Sequence, residues 1–353
     1  MEWVDAESNQ EIINKVNLFL SADFNRYLLG CNEFSINISN QLNIDGFIDD
    51  LTGKNNFNNK PVKKSKDLPK NSIILSCVLG RPFLAESSLS RHGLNVINYF
   101  DFEKYSNLDF SKVWFNIGFR QEVIINKEYY NDLYCMLSDD TSRITFQKIM
   151  NFRYNYDLSF LKGFSDNQEK QYFEDFINIS NDEVFLDVGG YDGYSSQYFI
   201  EKYNRYKKII IIEPDKINYS IILNKFSTND KVEVINKGVS NVNRVVSFES
   251  NGISSRVVEY GNNVIELCKL DEIINEPITF IKMDIEGFEL NALKGASEII
   301  KKNKPKLAIC VYHKANDLRE ITSFIMSLNP KYRLYFRHYN EGMSESVMFF
   351  IPN

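Results

Sequence analysis

Apolar side chains recur along the chain at two spacings. Between residues 11 and 19, Ile12, Ile13, Val16 and Phe19 return at helical intervals, which predicts a leading helix with one buried face. Short apolar runs follow at 26–31, 42–49, 72–78 and 95–100, separated by polar turns and candidate helices. Strands alternating with helices predict a small parallel α/β lobe over residues 1–150. Within it, residues 55–70, rich in Asn and Lys and carrying Lys60, Lys63, Lys64 and Lys66, read as a solvated loop. The aromatic-rich residues 130–156 read as helix running into loop, a linker to a second domain at 155–353. There Tyr172, Phe173 and Phe176 stand at helical spacing, ahead of buried strands at 183–188, 208–212, 232–238, 278–283 and 306–312. A helix is expected over 290–300, and an antiparallel pair, 332–339 and 345–351, closes the chain around a turn at 340–344.

Residues with chemistry stand where these strands end. The first run of the second domain leads into a turn containing Asp187, Gly189, Gly190, Asp192 and Gly193. Glycines belong in such a turn because a Cβ would block a ligand from the backbone or force unfavourable φ values. The pattern is neither G-x-x-x-x-G-K nor G-x-G-x-x-G, so it fits neither a phosphate loop nor a dinucleotide fingerprint. Two carboxylates around the turn suit a ligand bearing ammonium and sulfonium charge, and S-adenosylmethionine carries both. The next strand ends at Glu213 and Pro214, and Glu213 lies 20 residues past Gly193. At that place in nucleotide-binding α/β folds a carboxylate accepts both hydroxyls of a ribose. Gly238, after the third strand, stands where an adenine would cross the sheet edge. Asp284 and Glu286 end the fourth strand and His313 the fifth, so all face one crevice if the sheet is open and parallel. Glu289 reads as a partner of a helix dipole. His338 ends the penultimate strand. His92 lies in the first lobe.

Composition narrows the class further. With 43% hydrophobic and 25% charged residues over 353 positions, the chain is globular rather than disordered, and its length suits two domains. The balance of 41 basic and 47 acidic side chains leaves a net charge of −6, which argues against nucleic acid as the partner and fits small or neutral substrates better. No apolar run approaches the roughly 18 residues needed to cross a bilayer, and residues 1–10 lack the marks of a signal peptide. A cytoplasmic location is expected, with a homodimer as the oligomer left open. The five cysteines are scattered without a C-x-x-C pair, so neither a disulfide nor a zinc site is expected.

Two resemblances follow. The layout of the first lobe is similar to the N-terminal Rossmann-like lobe of sugar-nucleotide acyltransferases, yet only Gly30 stands where such a lobe carries a glycine-rich turn, so a docking or structural role is expected. Residues 160–353 resemble the FkbM family of S-adenosylmethionine-dependent methyltransferases. The resemblance rests on residues 185–193, 212–215, 270–272, 281–296, 311–314 and 334–339, the most specific piece being the K-x-D-x-E-G-x-E run from Lys282 to Glu289. It implies a Rossmann-like class I seven-stranded sheet with a reversed last strand, preceded by the smaller α/β lobe. It also implies an O-methyltransferase using S-adenosylmethionine and releasing S-adenosylhomocysteine, with a sugar or polyketide hydroxyl as the common acceptor. The second glycine of the turn departs from the Ala or Cys of many methyltransferases and is expected to enlarge the pocket. His313 or Asp284 is then the candidate base, and Glu286, Tyr312, Arg337 and His338 are candidate acceptor contacts. A divalent ion at Asp284, Glu286 and His313 is the lesser alternative to a metal-free site. A nicotinamide-dependent enzyme acting on a sugar nucleotide and a noncatalytic nucleotide-binding protein are the competing readings.

Overall fold

A computed structural model describes residues 1–5, 8–21, 23–108, 113–249, 256–258 and 263–353. The chain divides into two units, one made of residues 1–124, 147–166 and 340–344, the other of 125–146, 167–339 and 345–353.

The first unit is built on a parallel sheet in the spatial order Lys60–Lys63, Gly46–Ile48, Asn25–Leu29, Ser72–Ser76, Asn95–Asn98, with Asn56–Phe57 as an antiparallel hairpin partner at one edge. Tyr27, Ile48, Ile74, Leu89 and Leu94 pack into one core. Residues 55–70 are therefore not simply a loop. Lys60–Lys63 offers one apolar side chain and a proline, and such a segment is legible as a strand only once its edge position is known. Its amines are also engaged locally: Lys60 donates to the Ile44 carbonyl at 2.9 Å, Lys63 to the Tyr27 hydroxyl at 3.0 Å and Lys64 to the Asp49 carbonyl at 2.9 Å. At the carboxyl end of the sheet, Asn32 caps the helix Glu33–Ser39 in a reciprocal capping box with Ser35 and also donates to the Cys77 carbonyl at 2.9 Å. An asparagine thus ties together the two strand ends between which a nucleotide would enter.

The second unit carries a seven-stranded sheet in the order Arg333–His338, Ser346–Ile351, Lys306–Cys310, Phe280–Met283, Val184–Val188, Lys208–Ile212, Val232–Ile235. All neighbours are parallel except around Ser346–Ile351, which runs antiparallel to both of its partners, the expected reversed last strand. The central strands read as continuous apolar runs because they are buried along nearly their whole length.

Several local expectations change. The proposed linker is helix, Lys127–Met136 and Asp140–Asn155, and its first part belongs to this unit: Ser142 accepts from the Phe336 amide at 3.0 Å, and Phe146 meets Phe336 edge-on. Residues 167–177 form turns rather than a helix, with Tyr172 and Phe173 driven into the core all the same. The helix over 290–300 is two, Glu289–Lys294 and Ser297–Asn303, interrupted at Gly295, where a Cβ would strike the Ser240 carbonyl. A second sheet of Gly238–Val239, Asn263–Cys268, Arg244–Glu249 and Arg256–Val258 was not legible from the pattern.

Candidate methyl-transfer site

The glycine turn follows the central strand Val184–Val188. Gly189 (φ 83°) and Gly193 (φ 79°) are left-handed, and Gly193 opens the helix Tyr194–Lys202. The reason for the glycines is internal as much as external. A Cβ on Gly189 would run into the carbonyl oxygen of Asp284 on the neighbouring strand, and one on Gly190 into the side chain of Ile211. Gly190 therefore admits core packing and does not widen a pocket, which corrects that expectation.

Asp187 points into the protein. It is fully buried beneath the turn, 3.0 Å from the Lys282 ammonium, and its Oδ2 accepts from Ser195 at 2.9 Å and Ser196 at 2.7 Å. Asp192 is half-buried and accepts from the Tyr194 amide. Glu213 lies under the turn, accepting from the Tyr191 and Asp215 amides, each at 2.9 Å. Burial pushes its pKa up to about 7 against the lowering effect of those two bonds. Pro214 is half-buried beside it. Gly238 packs against Leu267 in the small sheet.

On the other side of the turn, acids gather around one imidazole. His313 is 1% exposed. Its Nδ1 lies 3.0 Å from Glu289, and its Nε2 lies 3.5 Å from Asp284 and 3.7 Å from Glu286. Burial disfavours the charged ring, but Glu289, Asp284 and Glu286 outweigh it and raise the pKa to about 10. His313 is therefore an imidazolium at neutral pH. Glu289, taken from the sequence as a helix-dipole partner, is fully buried: one oxygen accepts from the Ile285 amide at 2.9 Å and the Gly287 amide at 3.3 Å and faces the ring. Its pKa is lowered although burial opposes this, because the charged ring and these bonds hold it ionised. Glu286 sits at φ 53°, a strained conformation for a residue with a Cβ, and burial together with Asp284 and the other acids moves its pKa up to about 7 despite His313.

Two partners were missed. The Tyr172 hydroxyl donates to Asp284 Oδ2 at 2.8 Å. Glu345, also at left-handed φ (66°), accepts from Gln171 and, at 3.4 Å, from Tyr312. Burial and Asp284 push its pKa to about 7. Only an aromatic residue and an acid beside a turn mark these positions in the sequence, and nothing there shows that they converge. Tyr312 joins the group by this bond and by packing on His313, with ring centroids 4.0 Å apart. Arg337 and His338 do not join it through any described contact. Arg337 is held by Asp139 at 2.7 Å and by Ser142, and His338 Nδ1 lies 2.9 Å from Ser346 Oγ.

A seven-stranded sheet of this order, a glycine turn at the carboxyl end of its central strand and an acid ending the next make up the Rossmann-like fold of methyltransferases. Residues 187–340 match the family model of the methyltransferase FkbM domain. The chain's fold is that of the crystal structure of methyltransferase FkbM from Methylobacillus flagellatus KT, with a TM-score of 0.75, 22% identity, and coverage of 97% of this chain and 98% of that one. An rRNA methylase from Streptococcus thermophilus is more distant, with a TM-score of 0.34, 13% identity, and coverage of 50% of this chain and 90% of that one. No curated protein matches the chain.

Proposed function

We propose that this methyltransferase transfers a methyl group to a hydroxyl of a small-molecule acceptor, a sugar, nucleotide sugar or other glycan precursor, in the cytoplasm. The observation that carries the reading is the buried His313 between Glu289 and Asp284, with Glu286 beside it, on strand ends next to the glycine turn. The residues present suit the cofactor: a turn of glycines with left-handed backbone, and the Glu213 carboxylate with lone pairs left for a vicinal diol. S-adenosylmethionine, when bound, supplies an electrophilic methyl group on sulfur.

A sugar hydroxyl is a poor nucleophile, so the chain must orient it and take its proton. An imidazole already protonated is a poor base. In this reading Glu289 keeps His313 charged, and the imidazolium with the Tyr172 hydroxyl orients Asp284. Asp284, whose side chain is 22% exposed, accepts the acceptor's proton. Glu286, at 34% side-chain exposure, holds neighbouring hydroxyls of the acceptor. Incubating the protein with S-adenosylmethionine and candidate sugars or nucleotide sugars, then weighing products for one added methyl group, tests the reading. Methyl transfer only to nitrogen or carbon acceptors would overturn it.

A divalent ion is the second reading. Ligand atoms of Asp284, Glu289 and His313 lie within 4.8 Å of one another, a span that one ion can bridge. Activity lost to a chelator and restored by Mg²⁺ or Mn²⁺ would favour it, since such an ion lowers the pKa of a bound hydroxyl.

A further inference from the structure

Lys282 lies on the strand Phe280–Met283, directly opposite Asp187 in the parallel register. It is 3% exposed, and its Nζ stands 3.0 Å from Asp187 Oδ1 and 2.6 Å from the carbonyl oxygen of Gly189. The Tyr172 ring lies over it at 5.2 Å. Burial works against the charge, yet Asp187 and then Asp284 more than restore it, so the ammonium is retained. A buried ion pair is a weak source of stability, because desolvating both charges offsets their attraction, and a well-packed apolar pair often serves as well. Its value has to lie in the geometry that it specifies. Here it grips the carbonyl of Gly189, a left-handed residue of the turn. Through Asp187 it also reaches the hydroxyls of Ser195 and Ser196 at the start of the following helix.

We propose that Lys282 is the positioning residue of the cofactor turn: clamped by Asp187, its ammonium fixes the Gly189 peptide plane and thereby the backbone surface on which S-adenosylmethionine rests. The role depends on the methyltransferase assignment but is distinct from the acceptor chemistry assigned to Asp284 and Glu286. It also gives the lysine of the K-x-D-x-E-G run a task that the acid chemistry leaves unused.

Removing Lys282 alone would strand a buried carboxylate, so the test uses the neutral pair Asp187→Asn with Lys282→Met, close in shape to the native one. Calorimetric titration with S-adenosylhomocysteine and thermal unfolding are measured together. The expected result is a cooperative melt near that of wild type with affinity reduced at least tenfold, a combination that a purely structural role would not produce. Affinity within twofold of wild type in the folded pair would overturn the proposal. Should that pair fail to fold, Lys282→Arg keeps the charge beside Asp187 but displaces the donor from the Gly189 carbonyl. It is expected to lose at least threefold in affinity, and unchanged affinity there overturns the proposal equally. Failure of wild-type protein to bind S-adenosylhomocysteine would instead sink the cofactor assignment itself.

Discussion

Glu213 and His313 illustrate opposite uses of burial. Glu213 is raised to about 7 by desolvation, so in the free protein it is largely protonated below that pH and offers a ribose diol one fewer accepting oxygen. Affinity for S-adenosylhomocysteine should rise as pH climbs toward about 7 and level off above it. Glu213→Gln should flatten that profile, and Glu213→Ala should weaken binding by about 1.5–3 kcal/mol. A pH-independent wild-type affinity from calorimetry would contradict the assignment. His313 behaves in the reverse sense. Its folded pKa, about 10, stands above the ordinary 6.5, so the stability that its charge contributes is complete below 6.5 and is lost as pH rises toward 10. Melting temperature should fall across that window in wild type and much less in His313→Gln. If the imidazolium orients Asp284, His313→Gln should keep cofactor affinity while turnover drops. Asp284→Asn should lower turnover about 100-fold to 10,000-fold, the usual contribution of a positioned base.

Among elements, the turn after Val184–Val188 has the least freedom. Gly190→Ala pushes a methyl group against Ile211, a side chain that can change rotamer, and is expected to cost about 1–3 kcal/mol. Gly189→Ala meets the Asp284 backbone carbonyl, which is held in the sheet, and also adds a Cβ at positive φ, a further cost of about 1–2 kcal/mol. Urea unfolding should therefore rank Gly189→Ala as the more damaging, and the same order should appear in cofactor affinity. The reverse order would mean that the strand gives way more readily than Ile211 does.

At the scale of the whole chain, residues 125–146 belong with the methyltransferase sheet although they precede its first strand by many residues. Asp139 pairs with Arg337, and Phe146 packs on Phe336, both on the sheet-edge strand Arg333–His338. The Ser138 amide donates to the Leu334 carbonyl at 2.8 Å, a backbone bond that covers part of this edge. A fragment of residues 125–353 should accordingly be soluble and bind S-adenosylhomocysteine, whereas one of residues 155–353 should unfold at lower temperature or aggregate. Equal melting temperatures for the two fragments would show that the edge needs no cover.

Periodicity and motif spacing were enough to read the parallel strands, the reversed last strand, the glycine turn and the strand-end acids Glu213 and Asp284. These are local: a buried parallel strand must be apolar throughout, and a turn at its end must carry residues that tolerate left-handed backbone. The short edge strand Lys60–Lys63 and the packing of helical residues 127–136 and 140–146 on the sheet edge were not legible, because their burial depends on distant partners rather than on their own period. The same holds within the site. Asp187 and Glu213 look alike in sequence, both acids beside a glycine turn, yet Asp187 is paired with Lys282 under the turn while Glu213 accepts from two backbone amides. Whether an acid binds a ligand or a neighbouring lysine is decided by which side chain the adjacent strand sets opposite it. Tertiary structure alone also brings Tyr172, Glu289, His313 and Glu345, far apart in the chain, around Asp284, and the charge state of each follows from the others because Coulomb interactions at a few ångströms in a buried site outweigh the intrinsic preference of any one group.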